Sequence, residues 1–241
     1  MRFKRQLIAA SALALVSALA GAQTIRIANQ GDALSLDPHS LNESLQLSVT
    51  GNLYEGLVGR GKDLSLAPAL ATSWKQTSPT VWRFELRKGV QFHDGTPFTA
   101  DDVVFSFARA AGYGSDMRAN VNDIKAVRKI NDHLVEIETK SPFPILPNQL
   151  TTTYILSKKW CEDNQAVKPV DRRKGIENAA SFRANGTGPY RLRERQPGVR
   201  TVFVRNGNYW ARSTATRRKS SSRRSATTRP ASPRCSPAKW T

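Results

Sequence analysis

The sequence predicts an α/β lobe built on a mixed sheet, and three observations carry that reading. Segments that alternate apolar and polar residues recur, as in "VWRFELRKGVQF" and "HLVEIETK"; such alternation marks strands with one buried and one wet face. Between them lie segments with apolar residues every three or four positions behind helix-capping residues. The two kinds are interspersed without a strict strand-helix-strand repeat, which favours a mixed sheet over a regular parallel one.

Taken in order, "TIRIANQ" (Thr24 to Gln30) alternates like a strand, and Gly31 and Pro38 break the pattern. Ser40 and Glu43 form a capping box before a helix with Leu45, Val49 and Leu53 as its buried stripe. In the next strand Trp82, Phe84 and Leu86 face one way and Arg83, Glu85 and Arg87 the other. "HDGTPF" is a turn, because Asp94-Gly95 accepts positive φ and Pro97 cannot extend a ladder. Thr99 and Asp102 cap a second helix, whose Val103, Val104, Phe107 and Ala108 are expected to face the core. Val135 and Ile137 mark another strand, and "SPFPILPNQL", with Pro142, Pro144 and Pro147, is expected to be largely extended or looped. "TGPYRLRE" and "RTVFVRN" make two strands around the turn "RQPG".

The 241 residues carry a formal charge of +18, but its distribution argues against a nucleic-acid binder. Residues 211–241 hold nine Lys or Arg and no acid, and residues 1–22 hold three bases and no acid. The body between them keeps 25 basic residues against 19 acidic ones, a mild +6. The opening "MRFKRQLIAASALALVSALAGAQ" has a basic start, an apolar run too short to span a membrane comfortably, and small residues up to Ala22. It reads as an export signal over residues 1–22, with the mature chain beginning near Gln23. Of the two cysteines, Cys235 lies in the basic tail, so a native bridge to Cys161 is not expected.

"SWKQTSPTVWRFELRKGVQFHDGTPFTADDVVFSFARA" (Ser73 to Ala110) closely resembles the signature region of the family 5 extracellular solute-binding proteins, the peptide- and nickel-binding components of bacterial ABC importers. Three further landmarks, "LDPH" (Leu36 to His39), "NGTGPYRL" (Asn185 to Leu192) and "VRNGNYW" (Val204 to Trp210), stand in the family's order. The resemblance covers residues 24–210. It implies a periplasmic-binding-protein-like fold of class II (cluster C), of which only the first lobe, residues 23–210, is present. It further implies a monomeric periplasmic receptor for a peptide or peptide-like solute that delivers its cargo to a permease and ATPase subunits. No enzyme activity, cofactor, metal or nucleic-acid partner is implied. Cleft contacts are expected in the family's inner loops: Asn29, Gln30, Gly31 and Asp32, the neighbourhood of Tyr54, and Thr152, Thr153 and Tyr154.

After Trp210 the vocabulary changes to Arg, Ser, Thr, Ala and Pro. Back-translated and read one base out of register, "KSSSRRSATTRPASPRCSPAKWT" admits "EVVFAPIGNDATRVAALLSGEVD", which resembles the family's continuation after "NYW". Residues 211–241 are therefore expected to be a disordered, out-of-frame tail, and the chain a truncated and defective receptor. The rival reading is a secreted basic protein whose tail binds nucleic acid or anionic membrane.

Other constellations have plain structural readings. His93-Asp94 is expected to be a turn, and His39 and His133 to hold isolated surface or loop positions. Ser106 and Cys161 lack a nucleophile signature, and "GTGPY" lacks the Lys of a phosphate loop, so its glycines are expected to let the chain turn tightly. Trp74, Trp82, Phe84, Phe92 and Phe105 are spaced for core packing.

Overall fold

A computed structural model describes residues 31–211. The strand expected at Thr24 to Gln30, the export signal and the tail beyond Ala211 lie outside the described residues. All elements below belong to one unit, Met1–Trp210.

The first helix, α1 (Ser44–Thr50), is capped by Glu43, whose carboxylate accepts from the Leu45 and Gln46 amides. Ser40 was expected to open this helix, but its hydroxyl turns back to the Asp37 carbonyl at 2.8 Å. The buried stripe is also displaced: Gln46, Thr50 and Leu53 are buried, whereas Leu45 and Val49 are only half-buried. Gln46 is stable inside because its amide donates to the Ser35 carbonyl.

A small ladder, β1 (Val58–Arg60) with β2 (Leu66–Pro68), leads into β3 (Ala71–Ser78) and β4 (Val81–Leu86). In β4, Trp82, Phe84 and Leu86 point inward and Arg83 and Glu85 outward, as the alternation requires. The following turn holds Gly95 at φ +90°, and Asp94 Oδ1 accepts from the Thr96 amide at 2.9 Å. Next comes α2 (Ala100–Ala111), opened by the Thr99–Asp102 capping box. Val103, Phe107 and Ala110 are buried, Val104 is half-buried, and Ala108, expected inside, is exposed. Five residues advance a helix by about 500°, which places position 108 about 140° from Val103.

A short helix α3 (Arg118–Val121) precedes β5 (Ile124–Asn131) and β6 (Leu134–Thr139). The order β3-β4-β6-β5 forms a four-stranded sheet, with Trp82 opposite Ile137 and Phe84 opposite Val135. Its inner face packs on α2 to form the larger core. The proline-rich segment contains one helical turn, α4 (Leu146–Gln149), where a loop was expected; Pro147 lies in its first turn, where no intrahelical donor is required.

Then follow α5 (Lys158–Asp163), a 3₁₀ turn at Arg172–Lys174, α6 (Ala179–Phe182), and the hairpin β7 (Tyr190–Gln196) and β8 (Arg200–Arg205). Every pairing among these strands is antiparallel. A second core gathers Leu36, Leu53, Tyr54, Leu156, Cys161, Ala166 and Ala180, with Phe105, Leu192 and Phe203 against it. Among the described residues no helix is long and apolar enough to cross a membrane.

Candidate ligand-binding face

The loop carrying "LDPH" is pinned from beneath. Asp37 and Arg109 are fully buried and meet side-on, with Nη1 and Nη2 donating to the two carboxylate oxygens at 2.8 and 2.7 Å. The Asp37 carboxylate also accepts from the His39 and Val170 amides at 3.0 and 2.9 Å. Arg109 reaches on to the Ala166 and Lys168 carbonyls. Burial raises the Asp37 pKa, but the guanidinium charge and its bonds outweigh burial and hold it below the usual carboxylate range.

His39 was expected in an isolated surface or loop position and is instead fully buried. Its Nε2 donates to the Tyr154 carbonyl at 3.0 Å. Burial, reinforced by Arg109, lowers its pKa to about 4, so it stays neutral at physiological pH. This bond joins the "LDPH" loop to the segment Thr152–Tyr154. A polar strip continues from there: Asn42 donates to Asn120 at 3.2 Å, Asn120 donates to Thr152 Oγ1 at 3.1 Å, and the Tyr154 hydroxyl donates to the Leu47 carbonyl at 3.3 Å. The strip has amide and hydroxyl groups at its surface, a donor and acceptor set that suits the peptide groups of a small solute.

Not all of the anticipated contact residues gather here. Asn29 and Gln30 lie outside the described residues. Gly31 is exposed beside Leu45, and Asp32 sits at the β7–β8 turn, accepting from the Gly198 amide at 2.9 Å. Thr152 and Tyr154 are half-buried on the strip. Tyr54 and Thr153, by contrast, are 1% and 0% exposed, so their side chains serve the interior of this lobe and not a cleft surface. Burial pushes the Tyr54 phenol well above its ordinary range.

Sequence reasoning passed over a half-buried carboxylate. Glu55 accepts from Thr187 Oγ1 at 2.8 Å, Tyr209 OH at 2.8 Å and Trp210 Nε1 at 2.9 Å, and the Arg87 guanidinium lies 3.9 Å from the Trp210 ring centroid. Burial raises the Glu55 pKa despite those three donors. The "GTGPY" segment bends directly into β7. Neither of its glycines has positive φ; at Gly188 a Cβ would lie 2.6 Å from the Leu53 carbonyl carbon, so the requirement is close backbone approach.

The remaining chemical candidates are occupied. His93 donates from Nε2 to the Gly188 carbonyl and accepts at Nδ1 from Gly186, and burial lowers its pKa to about 4. Ser106 is bonded to the Leu156 backbone, and Cys161 is free, buried and pushed up to about 12 by that burial. Among the described residues no group of three or more His, Cys, Asp or Glu could hold a metal.

Solved structures with this lobe are periplasmic binding proteins. One is NikZ from Campylobacter jejuni in complex with Ni(L-His), 26% identical with a TM-score of 0.64, covering 74% of this chain and 34% of that one. The profile of the bacterial extracellular solute-binding proteins, family 5, matches residues 65–224, and the chain belongs to that family. Among curated relatives, the periplasmic oligopeptide-binding protein OppA of Escherichia coli is 28% identical over 244 residues, covering 86% of this chain and 43% of its own length. The glutathione-binding protein GsiB of Pectobacterium atrosepticum is 31% identical, covering 78% of this chain and 36% of its own. The chain thus spans about two fifths of the length of these curated relatives. The profile match ends fourteen residues beyond Trp210.

Proposed function

We propose that the gene encodes the solute-capturing component of an ABC importer, a monomeric periplasmic receptor that takes up a peptide or peptide-like solute and passes it to a permease driven by ATPase subunits. The family match over residues 65–224 carries this reading. The oligopeptide and glutathione named for the relatives support the solute class, since both present amides and carboxylates to a binding face. Capture works by burial between two lobes, with no bond made or broken, and nucleic acid plays no part.

In this proposal residues 1–22 are the export signal and residues 23–210 the first lobe. Thr152 and Tyr154 contact the solute, while Tyr54 and Thr153 support them from within. Residues 211–241 are out-of-frame translation.

Sequencing genomic DNA across codons 205–245 tests the frame. A family-like sequence continuing in a neighbouring frame supports the proposal, and its absence overturns the out-of-frame reading. The binding claim is checked by thermal unfolding at submillimolar peptide. The frame-restored protein is expected to show a clear ligand-dependent rise in Tm across a peptide panel. A frame-restored protein inert to every peptide overturns the solute class.

A further inference from the structure

A cavity of about 600 Å³ lies between the segment Tyr113–Asn122 and the 3₁₀ turn at Arg172–Lys174. That size suits a small solute. Two stretches far apart in sequence are fitted together to make it. Gly114, at φ +89°, lies so close to Asp171 that a Cβ would stand 3.0 Å from the Asp171 Cβ. Asp116 accepts from Arg173 at 2.5 Å, and the Lys174 ammonium lies 4.8 Å from the centre of the Tyr113 ring. The floor is tied to the pinned loop, because Ser115 Oγ and the Asp116 amide both donate to the His39 carbonyl, at 3.2 and 3.0 Å. Helix α3 supplies Asn120 to the polar strip and Arg118 to this cavity, so the two are contiguous.

The charges of the cavity do not cancel. Arg118, Arg173 and Lys174 face Asp116 and Asp171. Both acids are committed within the protein: Asp116 to Arg173, and Asp171, 7% exposed, to the Lys174 amide at 3.3 Å. Arg118 has no carboxylate partner among the described residues, and the Tyr113 ring is 71% exposed. An unpaired guanidinium fork that shares the lining of one cavity with an ammonium suits a planar carboxylate, and the exposed edge of the Tyr113 ring accepts the apolar part of the same molecule.

We propose that this cavity is a carboxylate subsite, in which Arg118 and Lys174 hold the C-terminal or side-chain carboxylate of a solute whose backbone lies along the Asn42–Asn120–Thr152 strip. The proposal rests on the solute-receptor reading and deepens it, favouring acidic or free-acid peptides over neutral, amidated ones.

The test is an amide-detected NMR titration of the full 241-residue chain with millimolar N-acetyl-tetraalanine as free acid, the same peptide as its C-terminal amide, and inorganic phosphate. The free acid is expected to shift signals from residues 113–122 and 171–175, and the amide to bind about fivefold more weakly, as for loss of one partly screened ionic contact. Arg118→Gln and Lys174→Gln should each weaken the acid by a similar factor. Lys75→Gln, which removes the same charge from exposed β3, should leave it unchanged. Equal binding of acid and amide, shifts confined to other residues, or no shifts at all would overturn the subsite. Phosphate binding more tightly than the acid would overturn the carboxylate assignment. None of these outcomes touches the receptor reading, which stands or falls on the Tm of the frame-restored protein.

Discussion

At the scale of single residues, the Asp37–Arg109 pair decides whether the binding face holds its shape. Two opposite charges buried side-on are costly to assemble, and losing one partner leaves the other uncompensated in the interior. Arg109→Met is therefore expected to destabilise the fold by about 3–5 kcal/mol, read as a lowered urea midpoint. Asp37→Leu combined with Arg109→Met should recover much of that loss, because apolar residues of similar volume do not strand a charge. A single variant as stable as the parent would mean that the pair is wetter than its 0% exposure indicates.

Among the elements, the junction of α1 with β7 is the least tolerant of added bulk. At Gly188 a methyl group would meet the Leu53 carbonyl carbon at 2.6 Å and the Asn52 carbonyl oxygen at 2.7 Å, both of them backbone atoms that cannot swing away. Gly188→Ala is expected to cost about 1–3 kcal/mol, with thermal unfolding as the readout. An unchanged Tm would show that the hairpin slides to make room. The same elements explain what the sequence made legible. Strands β4 and β6 were readable because alternation with a period of two and one-sided burial are the same fact seen twice. The α1 stripe was misplaced because its buried positions are Gln46 and Thr50, polar residues that donate to the Ser35 and Gln46 carbonyls. In α2 a signal was present but unread. Asp102, Ser106 and Arg109 repeat at helical spacing beside Val103, Phe107 and Ala110, and all six are buried. The first row binds the loops that carry the site, and the second fills the core. On the site itself, proximity of Thr152 and Tyr154 to the "LDPH" loop depends on one side-chain bond from His39, which no local pattern announces.

For the whole molecule, two buried histidines set the acid limit. His39 and His93 both have folded-state pKa values lowered to about 4 from 6.5, so between those values the unfolded chain binds more protons than the folded one. Their contribution is intact above pH 6.5 and is lost as pH falls towards 4, approaching roughly 3 kcal/mol for each group. The expected result is a Tm that falls progressively over that window, with His93→Gln reducing the slope; a flat Tm between pH 6.5 and 4 would contradict it. The Glu55 grip on Tyr209 and Trp210 has a different reach. It fastens the last residues of the "NYW" motif to the end of α1 and the edge of the main core, with Arg87 closing over the indole. The strand hairpin is thereby clasped at its far end by contacts wholly internal to residues 55–210. The clasp draws on nothing beyond Trp210, so a change further along the chain leaves this end of the hairpin as it stands.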